Sequence, residues 1–281
     1  MIRDLKLICR PYHNDGVSLY DWLVHLSPVG LWAISIDQIG PNAEFTAAVM
    51  ACPALQGVRR LELQGNFLSL GVQLDNFLGL PDLHSLSVEL PHLTRNLDVS
   101  AITPIKNMRL DVYELDQTAI NLLAALQSSL SWLDLRLKQW NGLEGALLCT
   151  LSRMSKLQHL AIDAQYKAHY PFMDEVLPHL PALRYVHCSH GTWGAALFIA
   201  ILPTLNCLSL QGSTKDPFPI DAVLNTIHHM SAQPIHLRSL VLVRQTNLEI
   251  LSQLRDACVH AGIQFRVGAK FQMTEQMDSC M

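Results

Sequence analysis

One six-residue pattern keeps returning along this chain, and it limits the fold more than any single motif does. Leu157-Gln158-His159-Leu160-Ala161-Ile162 reads apolar-x-x-apolar-x-apolar. Equivalent patterns begin at Ile2, Leu31, Val58, Leu83, Ile105, Leu130, Leu183, Leu205 and Leu237. The ten starts lie 22 to 32 residues apart, about 26 on average. A period of that size is the signature of stacked supersecondary repeats. In an extended segment the alternation puts Leu160 and Ile162 on one face and His159, Ala161 and Asp163 on the other. One such strand cannot bury its apolar face alone, whereas stacked copies can.

The stretches between the strands read as helices. Residues 117–126, 144–154 and 247–261 carry apolar side chains near i, i+3, i+4, and Gly262 stops the last of them. Leu80-Pro81-Asp82-Leu83, Leu180-Pro181-Ala182-Leu183 and Leu202-Pro203-Thr204-Leu205 end a helix and launch the next strand. Proline cannot continue a helix, and it drives the residue before it toward extended geometry. Residues 10–16 and 212–219 are polar and rich in Pro, Gly and Asp, and read as loops. A last strand is expected at 263–267, and 268–281, which has no periodicity, reads as a disordered tail. The chain starts directly in a repeat strand without a polar cap, so a preceding segment is expected in a full-length or ancestral protein.

Composition narrows the function classes. Hydrophobic residues make up 49% of the 281, enough for a continuous core. The formal net charge of −4, with no basic block, argues against a nucleic-acid partner. The 7 cysteines are scattered and odd in number, as expected of buried free thiols in a reducing compartment. No apolar run approaches the roughly 20 residues of a spanning helix. The expected setting is therefore intracellular, cytoplasmic or nuclear, with no membrane partner. Nucleophile-elbow, phosphate-loop, dinucleotide and zinc-protease motifs are all absent. His187-Cys188-Ser189-His190 does not bring its ligands to one point on a strand. No enzyme activity, cofactor or metal is expected.

The repeat pattern resembles the leucine-rich-repeat superfamily in its longer, ribonuclease-inhibitor-like form, across about residues 2–267. More narrowly it resembles the repeat region of fungal F-box proteins. The Leu-Pro-x-Leu helix ends and the segment Leu254-Arg255-Asp256-Ala257-Cys258-Val259-His260-Ala261-Gly262-Ile263 carry that likeness. The resemblance implies an α/β leucine-rich-repeat solenoid, a horseshoe of about ten to eleven repeats. Its parallel sheet would line the concave side and its helices the convex side. It also implies the substrate-recognition part of a ubiquitin-ligase adaptor, although no F-box is legible. The alternative is a stand-alone scaffold or inhibitor-type repeat protein with no ubiquitin link. The family's turn asparagine is present at Asn66. Arg10, Pro91, Gln165, Gly191 and Ser213 stand at equivalent places elsewhere, so irregular curvature is expected.

Horseshoe solenoids bind partners on the concave strand face. The repeat register puts Asn107, Trp132, His159, Tyr185 and Cys207 in one column of that face. Arg109, Asp134 and His187 belong to a second column, and Arg136 to a third. Trp132, His159 and Tyr185 would then be neighbours on three adjacent strands. A tryptophan and a tyrosine on a polar face suit anchor positions for a protein partner, with Arg109, Asp134, Arg136 and His187 around them. The alternative, that the aromatics only support each other across strands, stays open at this point. The chain itself is expected to be a monomer.

Overall fold

The structure is a computed structural model. It describes residues 4–8, 31–37, 52–64, 74–89, 97–100, 102–213, 218–230, 237–244 and 247–268. The expectations for 10–16, for a preceding segment and for the tail past Gly268 lie outside these residues. The chain falls into two compact units, Met1–Leu130 and Ser131–Met281.

The first unit holds five strands, β1 (Asp4–Ile8), β2 (Ala33–Asp37), β3 (Arg60–Gln64), β4 (Ser85–Glu89) and β5 (Asn107–Glu114). They pair in parallel and in sequence order. The second unit holds β6 (Trp132–Gln139), β7 (His159–Ala164), β8 (Tyr185–Cys188), β9 (Cys207–Gln211), β10 (Ser239–Val243) and β11 (Gln264–Gly268). These too are parallel and in order. Helices lie between most of the described strands, which makes the chain α/β. Parallel neighbours need a crossover between them, and the segments between strands supply it.

Each strand from β1 to β10 starts two residues beyond an apolar pattern start, as the periodicity predicts, and β11 is the extra strand expected near 263–267. From β2 to β10 the leucine parity is closed. Leu61 and Leu63 on β3, Leu133 and Leu135 on β6 and Leu160 and Ile162 on β7 have essentially no exposure. Between strands, the helix Gln117–Leu126 matches its expected bounds and is capped by Asp116, whose carboxylate accepts from the Ala119 N–H at 2.7 Å. Asn247 caps Leu248–His260 in the same manner. The helix expected at 144–154 stops at Leu151.

Around β8 the crossovers tighten. Leu177–His179 and Ala195–Phe198 are 3-10 turns rather than longer helices. Only 22 residues separate the two pattern starts at Leu183 and Leu205, and Gly191 and Gly194 occupy part of them. That leaves too little chain for a full helix.

Candidate functional site

The register places the expected columns side by side in the second unit. Trp132 pairs with His159, His159 with Tyr185, and Tyr185 with Cys207. Adjacent strands lie about 4.8 Å apart, so these side chains are in reach of one another. The His159 and Tyr185 rings stack, with centroids 6.1 Å apart and planes 28° from parallel. Trp132 and His159 are half-buried. Tyr185 is buried, with 2% of its surface exposed. Arg109 belongs to the first unit, on β5, where it is half-buried.

In the second column Asp134 is buried and holds Arg136. The Arg136 Nε donates to Oδ2 at 3.1 Å, and a terminal guanidinium nitrogen lies 3.0 Å from the same oxygen. Such a forked contact fixes the planar guanidinium more firmly than a single bond would. Arg136 keeps about a quarter of its side chain exposed, 27%. Asp163, its register partner on β7, is half-buried. Burial raises the Asp163 carboxyl above its ordinary range, against the pull of Arg136 and Arg244.

His187 is fully buried, and its Nδ1 lies 2.9 Å from the Ser209 hydroxyl. Burial, helped by the charge of Arg136, pushes its imidazole down to about 3. Its ring is therefore held neutral at physiological pH. Cys188, beside it in sequence, faces the leucine side, and burial holds its thiol protonated. Among the described residues no group of three or more His, Cys, Asp or Glu could hold a metal ion. No described helix is long and apolar enough to cross a membrane.

The face is not uniformly polar, which departs from the reading of the columns. On β8, β9 and β10 the outward positions Tyr185, His187, Cys207, Ser209, Gln211, Ser239, Val241 and Val243 are all buried, as is Ser189 just after β8. Ala161, Tyr185, Cys207, Val241 and Val243 form one apolar cluster, with Trp132 packed against it. In the first unit the equivalent positions of β3 to β5 (Arg60, Glu62, Gln64, Ser85, Ser87, Glu89, Asn107, Arg109 and Asp111) are half-buried or exposed, and none is buried. A signal for this was available. None of the nine buried positions is Asp, Glu, Lys or Arg, whereas five of the nine in the first unit are.

The described outer face of β6 and β7 therefore presents an aromatic pair, Trp132 and His159, beside a fixed Arg136 and a half-buried Asp163. Such a patch can stack, accept and donate, and offer charge of both signs. No family model matches the chain, and no curated protein matches its sequence.

Proposed function

We propose that this chain is a non-enzymatic protein-interaction module of the leucine-rich-repeat kind, and that its partner docks on the outer face of β6 and β7. The observation that supports this most is the pairing of half-buried Trp132 and His159 next to Arg136. Tryptophan and arginine dominate binding hot spots because they offer large contact area and directed hydrogen bonds at a desolvated centre. Here the arginine is already oriented by Asp134, so little side-chain freedom is lost on binding. Tyr185 takes a supporting part: it is buried and stacks on His159, which sets the angle of that ring. His187, buried in the second column, supports the same layer. The similarity of the repeats to fungal F-box proteins extends the reading to a substrate-recognition part of a ubiquitin-ligase adaptor, in an intracellular setting.

The test is an affinity capture from cell lysate with the native chain and with Trp132→Ala/Arg136→Lys, which keeps a cation opposite buried Asp134 but loses the forked guanidinium, both checked for equal melting temperature. Tyr185 is left intact because truncating a buried ring would open a cavity and confuse binding with folding. The expected result is at least a tenfold loss of one or a few specific proteins in the double variant. Ligase subunits among the captured proteins would favour the adaptor reading. Identical captures would remove the patch from the account.

A further inference from the structure

At the amino end of the second unit's sheet, the residues just before the strands form a column of their own. The Arg184 N–H donates to the Gln158 carbonyl at 2.8 Å, the Asn206 N–H to the Arg184 carbonyl at 2.7 Å and the Arg238 N–H to the Asn206 carbonyl at 2.8 Å. Gln158, Arg184, Asn206 and Arg238 therefore step from β7 to β10 one strand at a time. Two such steps put the arginine backbones about 10 Å apart. Both arginines are exposed, as is Lys156, two residues before Gln158. Among the described residues none of these three cations makes an ion pair or a side-chain hydrogen bond.

The edge is basic because the acids lie elsewhere. Residues 150–160, 177–187, 199–211 and 226–243, which lead into and begin these strands, contain no Asp or Glu. Glu144, Asp174, Glu175 and Asp221 stand instead in first helical turns, where the helix dipole favours negative charge. The crossovers that end at β8 and β9 hold only the short turns Met173–Val176, Leu177–His179 and Ala195–Phe198. Little negative helix-end charge therefore offsets the cations there.

The edge adjoins the face of β6 and β7. Arg184 precedes Tyr185, whose ring stacks on His159. Burial, together with the Arg184 charge, holds the His159 imidazole below its ordinary value. Arg184 thus borders the aromatic patch on its amino side. Nucleic acid needs more clustered cations than these, and the net charge of −4 repels a polyanion. About three residues of extended peptide span the roughly 10 Å between the arginines. A guanidinium grips a single carboxylate through two N–H groups.

We propose that this edge binds an acidic peptide segment, with one carboxylate on Arg184 and another on Arg238. On the reading that a partner docks on β6 and β7, the segment belongs to that partner and approaches the patch from the Arg184 side.

An NMR titration of the isotope-labelled full chain with hexaglutamate tests this, with hexaglutamine and a short oligothymidylate as further probes. The Nε–H signals of Arg184 and Arg238 are identified by their loss in Arg184→Gln and Arg238→Gln. They are expected to shift saturably with hexaglutamate, with a dissociation constant on the order of a millimolar. Raising the salt from about 0.02 to about 0.2 M is expected to weaken this binding about threefold or more. Hexaglutamine is expected to leave both signals in place. Arg184→Gln/Arg238→Gln, at unchanged melting temperature, is expected to weaken the affinity read from backbone amides about fivefold or more. Lys138→Gln/Arg255→Gln removes the same charge from two other exposed positions and is expected to leave the affinity within about twofold. Trp132→Ala is also expected to leave hexaglutamate binding intact, so failure of the edge and failure of the aromatic patch are read separately. No saturable shift of either arginine, equal affinity in the two double variants, or tighter binding of the oligothymidylate overturns the proposal.

Discussion

Moving the protein from pH 7.5 to pH 5.0 is expected to cost about 2 kcal/mol of stability through His187 alone. The ring is fully buried among Ala161, Ser209 and their neighbours, and its imidazole lies at about 3 in the fold. The unfolded chain takes up the proton near the ordinary value of about 6.5. The unfolded state therefore binds more protons between these two values. The stability is fully present above about 6.5 and is lost as the pH falls toward 3. His159, lowered by burial and by Arg184, adds to the same trend. Asp163 and Asp174, raised mainly by burial, oppose it, because each holds in the fold a proton that the unfolded chain releases. A comparison of variants isolates the histidine. His187→Asn keeps a hydrogen-bonding group toward Ser209 but does not titrate. Urea unfolding at both pH values should show a drop smaller by about 2 kcal/mol in the variant. An equal drop in both proteins would mean that His187 is not held neutral by burial.

Placing a carboxylate in the apolar layer of the second unit should be the most damaging surface-parity change in the chain. Cys207→Asp is expected to destabilise the fold by about 3 kcal/mol or more. Cys207 is 1% exposed, and its register partners are Tyr185 and Ser239, neither of which can neutralise the new charge. The matched control is Ser87→Asp on β4. Ser87 occupies the same parity of its strand but is half-buried, between Glu62 and Arg109 in register. A change within about 0.5 kcal/mol is expected there. Thermal or urea unfolding of the two variants reads the difference. Similar small losses at both positions would show that the face of β8 to β10 is open to water.

The repeat period carried most of the architecture, for a physical reason. Every strand must present leucine or its equivalents on one parity, so Leu133, Leu160, Val186, Leu208 and Leu240 repeat whatever lies opposite them. The columns followed from the same regularity, and Trp132, His159 and Tyr185 do sit in pairing register. What the outer positions touch was harder to read. Serine, cysteine, glutamine and histidine suit both a wet sheet face and a satisfied interior, so Ser209 and His187 looked polar and accessible although both are buried. The only legible warning was the lack of formal charge at the outward positions of β8 to β10. Contacts between residues far apart in sequence left no local trace at all. Glu144 with His169, and the Trp140 indole N–H donating to the Tyr166 carbonyl at 2.9 Å, belong to this class. So does a cleft of about 370 Å³ lined in part by Lys167, Trp193 and Gly212, because it exists only where the loops after β7, β8 and β9 meet.

The most direct test of the partner-binding account is photo-crosslinking in cells. A photoreactive phenylalanine analogue replaces His159 in one protein and Glu62, on the first unit's β3, in another. The account predicts one dominant cross-linked partner from position 159, lost when Trp132 is also changed to alanine, and no such product from position 62. The same product from both positions, or none from position 159 in a folded protein, would contradict it.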